Sequence, residues 1–378
     1  MAKMLEHIRV VEMGTYITGP AASMHLADLG ADVIKVERPE TGDPFRAFKG
    51  GLYSPHFQTY NRNKRSIALD TRTPDDLETF YKLIESADVF IQNFRPGVAE
   101  KLGAGEDALR KRNPGLIYCA ISGFGQDGPA RDRPAFDTVA QAASGFLRLV
   151  TPPKNPRVIG PAIADAITGQ YASLGILAAL LARKPGVDGA RLDISMLEAM
   201  SHFNLDSFTH YFSEGEVMGP LSRPVVSQSY TFECADGKWV AIHLSSPTKF
   251  WDGLLAATGM EQLNDDPRFS DRMARIAHQD DLIDVFTPVF KGRERDFWCD
   301  QLRDNEVPHS PAYDADEALD DPQAIHLNLS VSATHPTMGN FTTVRAPYNF
   351  NRTPDLDVLP PPVLDEHGDA IRAELKNS

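Results

Sequence analysis

The residues most able to do chemistry lie between Ile163 and Gln170, which read IADAITGQ. One carboxylate, Asp165, stands in an otherwise uncharged run, and a long apolar helical pattern, Tyr171 to Leu181 (YASLGILAALL), follows directly. An acid at that boundary has two uses. It can accept hydrogen bonds from the unpaired N–H groups of a helix start, which is ordinary capping. The same place can keep a carboxylate ionised and ready to attack an electrophile. The spacing leaves both readings open. Asp137, Asp193 and Asp206 admit loop, strand or cap roles in the same way, and the eleven histidines are scattered.

Several other chemistries are excluded by pattern. There is no GxSxG elbow, HExxH or P-loop. A literal GxGxxG runs from Gly123 to Gly128 (GFGQDG), but it follows a late strand pattern and leads into Pro129 to Pro134 (PARDRP), which is no helix start. The dinucleotide fingerprint follows the first strand and opens a helix. NAD is therefore not expected, despite Glu37 at the end of the second strand pattern.

These residues need a scaffold, and the first half of the chain supplies an alternation of strand and helix patterns. Ile8 to Met13 (IRVVEM), Ala31 to Glu37 (ADVIKVE), Ser66 to Leu69, Ala87 to Gln92 (ADVFIQ) and Leu116 to Ile121 (LIYCAI) read as buried strands. Helical patterns cover Gly19 to Gly30, Thr73 to Ser86 and Val98 to Arg112. The rhythm implies an α/β fold, a parallel sheet with helices on both faces. After about Glu214 the character changes. Ser229 to Cys234 and Lys238 to Leu244 read as a hairpin around Asp236-Gly237, followed by helices near Lys249 to Thr258 and Asp280 to Phe290. This reads as a smaller α+β domain. The proline-rich tail from about Ser330 ends in a short helix near Asp369 to Leu375, expected to return to the first domain.

Ligands of an open parallel sheet bind beyond the carboxyl ends of its strands. The segments that follow the strand patterns are Gly14 to Pro20 (GTYITGP), Arg38, Asn93 to Gly97 (NFRPG) and Ser122 to Gly125 (SGFG), with the cationic run Asn61 to Arg65 (NRNKR) ahead of the third strand. Aromatics, amides and cations thus gather at one edge. That suits a ligand with an aromatic base and phosphates; ordinary solvated loops have the same composition.

Composition narrows the setting. With 378 residues, 42% hydrophobic and 24% charged, the chain reads as a soluble two-domain protein. The net charge of −14 argues against nucleic-acid binding. The apolar run from Tyr171 to Ala182 is too short to span a bilayer, and the N-terminus has no apolar signal segment, so no membrane role is expected. Cys119, Cys234 and Cys299 are far apart and form no CxxC pattern, which fits a reducing cytoplasm and suggests no metal site.

Taken in order, the motifs resemble the family III CoA-transferases, a group that includes formyl-CoA and carnitine CoA-transferases and, as a branch, α-methylacyl-CoA racemase. The resemblance rests on Val11 to Pro20, Leu29 to Pro39, Asn61 to Ser66, Asn93 to Gly97, Gly123 to Pro129, Arg133 to Asp137 (RPAFD), Gly160 to Asp165 and Pro360 to His367. It implies a Rossmann-like large domain (1–200), a linker (201–225), a small α+β domain (226–325) and a returning segment (326–378), in an interlocked, ring-like homodimer. It implies CoA or acyl-CoA as substrate rather than a tightly bound cofactor, with a carboxylic acid as the second substrate. By position it makes Asp165 the catalytic aspartate, attacking an acyl-CoA thioester to give an anhydride and then an aspartyl-CoA thioester. It places CoA against Thr15, Tyr16, Ile17, Thr18 and Arg38, and against Asn63, Lys64, Arg65, Asn93, Phe94, Arg95 and Lys101. Contacts at Gly123, Phe124 and Asp137 follow from the same match, with backbone N–H groups near Gly123 and Gly125 as oxyanion donors. The racemase branch has a histidine where this chain has Phe136, a side chain that cannot exchange a proton, so transfer is favoured over racemisation. The glycine-rich loop of formyl-CoA transferase has no clear counterpart; Leu244 to Pro247 (LSSP) stands there, which speaks against formyl-CoA and oxalate. Phe203, Phe208, Tyr211 and Phe212 offer an apolar acyl pocket or plain core packing.

Overall fold

The computed structural model describes residues 3–184, 186–245 and 248–377. It divides into two units, one made of Met1–Leu147, Val158–Leu205 and Leu327–Ser378, the other of Arg148–Arg157 and Asp206–His326. The first unit is built on six strands, β1 (Arg9–Glu12), β2 (Asp32–Glu37), β3 (Lys64–Ala68), β4 (Val89–Gln92), β5 (Ile117–Ser122) and β6 (Arg191–Ser195). Their order is β3-β2-β1-β4-β5-β6, and every neighbouring pair is parallel. The order reverses at β1, where Val10 lies between Val33 of β2 and Val89 of β4. A crevice opens at the carboxyl ends on either side of such a reversal.

Alternation along the strands feeds two cores, because successive side chains leave a strand on opposite faces. Val10, Val33, Ile91, Cys119 and Ile121 pack with Ala22 and Leu26 of α1 (Thr18–Asp28). Val11, Ile34, Phe90 and Tyr118 pack on the other face with Phe80, Leu83 and Ile84. Between these cores the chain adds α2 (Pro55–Tyr60) and α3 (Pro74–Glu85). It continues through α4 (Val98–Lys101), α5 (Glu106–Arg112), α6 (Asp137–Ala143), α7 (Phe146–Val150), α8 (Ile163–Ala182) and α9 (Met196–Phe203). The single helix expected from Val98 to Arg112 is two helices, because Gly103 takes a φ of +73° and reverses the chain.

Helix α8 begins eight residues ahead of the apolar pattern at Tyr171 that marked it in sequence. At 20 residues it is long and apolar enough to cross a membrane by length and composition, which corrects the expectation of a run too short to span. In this unit it is the crossover between β5 and β6, with Ala172 and Ile176 buried against α1 and the sheet. Gly169 permits the approach: a Cβ there would stand 2.8 Å from the Ala21 Cβ and 3.1 Å from the Thr18 carbonyl oxygen. The start of α8 is thereby held against the start of α1.

The tail, read as irregular from sequence, forms the hairpin β10 (Ser330–His335) and β11 (Gly339–Val344) before a final helix, Gly368–Asn377. Ile371 of that helix is buried in the same core as Phe80 and Phe90. In the second unit β7 (Ser229–Glu233), β8 (Trp239–His243) and β9 (His309–Ala312) form an antiparallel sheet in that order. Its inner face meets three helices through Trp251, Phe286, Phe290 and Trp298, and the Phe232 and Phe290 rings stack at 4.5 Å. Residues 201–225, expected as a linker, are largely helical, running through the end of α9, α10 (Leu205–Glu214) and α11 (Ser222–Ser227). Of the stretch Leu244 to Pro247, Ser246 and Pro247 lie outside the described residues.

Candidate active site

The loop after β1 is wired to buried charge. Glu12, the last residue of β1, is fully buried. Its Oε1 accepts from Lys35 Nζ (2.9 Å) and Gly14 N–H (3.1 Å), and its Oε2 accepts from Lys64 Nζ (3.0 Å) and Ser23 Oγ (3.0 Å). Lys35 also donates to the Gly14 carbonyl at 3.0 Å and pairs with Asp43 at 3.0 Å, while Lys64 donates to the Pro20 carbonyl at 2.9 Å. Burial works against the Glu12 charge, but the two ammonium groups outweigh it and hold the carboxyl at about 2. Gly14 is required here, since a Cβ would fall 2.8 Å from Glu12 Oε1.

Above this cluster the loop is set from two further sides. Tyr16 takes a φ of +62°, a left-handed conformation rare for an aromatic residue, and its N–H donates to Asp43 Oδ1 at 3.2 Å. Asn93, just past β4, spans the crevice: its Oδ1 accepts from Thr15 N–H (2.9 Å), and its Nδ2 donates to the Thr15 carbonyl (2.7 Å) and Thr18 Oγ1 (2.8 Å). Thr15, Tyr16, Ile17 and Thr18 are thus brought together with Asn93 where the strand order reverses.

Asp165 lies in the first turn of α8, whose start packs against this loop, and it is not a cap. It is the third residue of α8, and its carboxylate accepts no hydrogen bond among the described residues. The cap comes from Asp137 at the start of α6. Asp137 Oδ1 accepts from Ala164 N–H (2.8 Å) and Asp165 N–H (3.3 Å), and its Oδ2 accepts from Gln141 Nε2 (2.6 Å). Burial, and after it the Asp137 charge, push the Asp165 carboxyl up to about 7. The helix N-terminus pulls the other way, toward the ionised form. Tyr60 belongs to the same place: burial and then the charges of Asp165 and Asp137 raise its phenol.

The cationic run read from sequence is largely spent on structure. Lys64 lies in the Glu12 cluster. Arg65 pairs with Asp32, the first residue of β2, and with Glu374. Asn63 donates to Asp28 and accepts from Leu359 N–H. These three side chains are partnered within the protein, Lys64 beneath the loop after β1 and the other two on Asp28, Asp32 and Glu374. Arg38, Arg95 and Lys101, by contrast, are exposed and make no ion pair among the described residues. Phe94 packs on the core beneath α3, and the Arg133 guanidinium lies 4.9 Å over the Phe124 ring. Gly123 lets Ala135 pass, since a Cβ on it would stand 2.3 Å from the Ala135 Cβ. The Gly125 N–H donates to Ser122 Oγ at 3.0 Å, so it is not a free oxyanion donor. Three side chains able to ligate a metal, His210, Glu214 and Glu216, approach one another in the second unit; two of them are exposed, and His210 hydrogen-bonds Glu216 at 3.1 Å.

Glu12, Lys35, Asp43 and Tyr60 escaped the sequence reading. The first two carried a signal, a charge inside each of two apolar strand patterns, which demands a buried partner.

Comparison with known proteins identifies the family. Residues 5–368 match the CoA-transferase family III profile. The chain is 33% identical to a succinyl-CoA--D-citramalate CoA-transferase of Chloroflexus aurantiacus, over 98% of this chain and 94% of that one. It is also 33% identical to a succinate--glutarate CoA-transferase of Agrobacterium fabrum, over 98% and 96%. The crystal structure of a CAIB/BAIF family protein from Brucella suis superposes with a TM-score of 0.87 at 33% identity, covering 97% of this chain and 98% of that one. The chain belongs to CoA-transferase family III.

Proposed function

We propose that the protein moves CoA from an acyl-CoA to a carboxylic acid, with Asp165 as the covalent nucleophile. The observation that carries this is a carboxylate in the first turn of a helix, without a hydrogen-bond partner among the described residues, on a helix whose start packs against the Tyr16–Thr18 loop. A carboxylate oxygen of Asp165 attacks the donor thioester carbonyl, the C–S bond breaks, and CoA leaves as the thiolate. The thiolate attacks the aspartyl carbonyl of the resulting anhydride, giving an aspartyl-CoA thioester and releasing the donor acid. The acceptor carboxylate then displaces CoA from Asp165, and the thiolate attacks the acyl carbonyl of the second anhydride, restoring Asp165. A carboxylate is a weak nucleophile, so fixed placement and a dry setting must supply much of the rate. The exposed cations Arg38, Arg95 and Lys101 suit the CoA phosphates. Asn93 acts as a positioning residue for the Thr15–Thr18 loop.

The reading favours transfer over epimerisation because Phe136, adjoining Asp137, offers no proton. Two chains are proposed to interlock, a reading supported by bare apolar side chains on α8, where Leu174 and Leu181, seven residues apart, are 61% and 89% exposed. The decisive experiment is intact-protein mass spectrometry with an acyl-CoA panel. A CoA adduct mapping to Asp165, trapped by hydroxylamine and absent from Asp165→Ala, is expected. Undiminished transfer by Asp165→Ala would remove Asp165 from the mechanism; deuterium uptake at the α-carbon without transfer would favour an epimerase, and binding without turnover a CoA-binding protein.

A further inference from the structure

Accepting the transferase reading, we infer that the Tyr60 hydroxyl is a catalytic donor, bonding the acyl carbonyl oxygen on which negative charge collects as Asp165 attacks. Tyr60 is the last residue of α2, a helix held fast by its neighbours. Phe57 is fully buried, with the Arg46 guanidinium 3.6 Å from its ring centroid. Asn61, directly after Tyr60, donates to the Phe57 carbonyl at 2.8 Å and accepts from Lys64 Nζ at 2.9 Å, which ties the end of α2 to the Glu12 cluster. The side chains of Tyr60 and Ala162 both pack on the cluster of Ile17, Ala21, Phe45 and Phe57. Ala162 immediately precedes α8, and Asp165 follows three residues on, a spacing that sets the two on one face of the first turn. The end of α2 and the turn that carries the nucleophile thus meet on one cluster. Burial, and then the charges of Asp165 and Asp137, raise the phenol, so it keeps its proton.

Many donors around this turn are already spent. The N–H groups of Ala164 and Asp165 are bound to Asp137, that of Gly125 to Ser122 Oγ, and the Asn93 amide to Thr15 and Thr18. The N–H groups of Thr15 and Tyr16 are bound to Asn93 and Asp43. The Tyr60 hydroxyl has no hydrogen-bond partner among the described residues and is not sealed inside the protein, so a substrate oxygen can reach it. Lys49 and Arg133 are exposed cations on other loops, where water and salt screen their charge. A fixed, half-buried donor needs no reorganisation as charge develops, which is what stabilising an oxyanion requires. In the step itself a carboxylate oxygen of Asp165 bonds the thioester carbon, and the carbonyl electron pair moves onto oxygen, where the Tyr60 O–H holds it. The pair then returns, the C–S bond breaks, and CoA leaves as the thiolate. Tyr60 keeps its proton throughout.

Identity exchange tests this without knowledge of the natural pair. The full-length protein and its Tyr60→Phe variant are incubated with succinyl-CoA and ¹³C-succinate, with acetyl-CoA and ¹³C-acetate, and with phenylacetyl-CoA and ¹³C-phenylacetate. Label entering each thioester is followed by mass spectrometry. On the thioester that the native protein exchanges fastest, Tyr60→Phe should cut kcat about 100-fold, the scale of one lost oxyanion donor, and leave KM within about threefold. Phenylalanine keeps the ring, so an unchanged Tm is expected. The acid limb of kcat/KM at about pH 7 should stay in place, because the hydroxyl is not bonded to Asp165. Undiminished kcat in Tyr60→Phe would overturn the inference and leave the transferase standing. A raised KM alone would make Tyr60 a binding contact, and a moved acid limb with an unchanged plateau would make it a positioning residue for Asp165; either would overturn the donor role. Absence of exchange and of an Asp165 adduct with all three thioesters would overturn the transferase reading and this inference with it.

Discussion

Asp137→Asn separates the two things that Asp137 does. Its Oδ1 caps α8 through the N–H groups of Ala164 and Asp165, and its charge acts on the Asp165 carboxyl. Asparagine keeps an acceptor oxygen for the cap, and Gln141, now bonded to Oδ2, can turn its amide to accept from the new NH2. What is lost is the negative charge. Asp165 stands at about 7, against a usual 3.8, and burial is the larger cause. The share of Asp137 is therefore less than half the rise, below about 1.6 pH units, or roughly 2 kcal/mol at most. Asp165 must be ionised to attack, so kcat/KM should rise with pH through about 7 in the native protein. In Asp137→Asn that acid limb should move down, by less than about 1.6 pH units, with more activity at pH 6 relative to the plateau. The assay is thioester exchange across pH 5 to 9, with Tm measured at each pH. Asp137→Ala is the companion variant: it should shift the limb similarly and also lose about 1 kcal/mol through the missing cap. An acid limb unmoved in Asp137→Asn, with Tm unchanged, would refute the claim that Asp137 sets the ionisation of Asp165.

Three further outcomes follow from the same geometry. Lys64→Met should lower stability by about 3–5 kcal/mol, because it leaves the buried Lys35 alone to answer both Glu12 and Asp43; a variant of native Tm with only weakened CoA binding would make Lys64 a ligand contact instead. Asn93→Ala removes three bonds to the Thr15–Thr18 loop and should raise KM for acyl-CoA about tenfold while leaving Tm within a few degrees; an unchanged KM, measured by initial rates, would detach the loop from CoA binding. Asp165→Asn should stabilise the fold at pH 8 but not at pH 4. The folded carboxyl titrates near 7 and the unfolded one near 3.8, so stability falls as pH rises between those values. The ceiling is about 4 kcal/mol, and equal melting shifts at both pH values would contradict it.

The sheet was legible because parallel strands buried on both faces read as short apolar runs, and five of the six did so. The sixth, Arg191–Ser195 (RLDIS), lies at an edge and alternates exposed with half-buried residues, so it offered only an ambiguous Asp193. β9 was missed for a similar reason: HSPA carries a proline and little apolar character. The start of α8 was misplaced because the apolar pattern begins at Tyr171, whereas Ile163 to Gln170 form its first two turns. That error made Asp165 look like a cap. The true cap, Asp137, lies 28 residues earlier, and no local pattern joins the two; only the fold brings α6 to the end of α8.

The run NRNKR shows a different limit. A cluster of cations on an acidic chain invites assignment to an anionic ligand, yet its lysine answers Glu12 and its arginines answer Asp28 and Asp32. The demand was visible at its other end. Glu12 sits in VVEM and Lys35 in VIKVE, each flanked directly by apolar residues, and a charge there must find a counter-charge before the strand can be buried. Settling those debts first would have withdrawn Lys64 from the ligand's side and left the exposed Arg38 after β2, Arg95 after β4 and Lys101 at the end of α4. The order of reasoning matters physically, since an unpaired charge in the core threatens the fold itself, whereas a phosphate contact changes only affinity. In this chain the buried cluster does both kinds of work at one remove: by holding Gly14, Tyr16 and Pro20 through Glu12, Lys35, Asp43 and Lys64, it shapes the loop proposed to receive CoA.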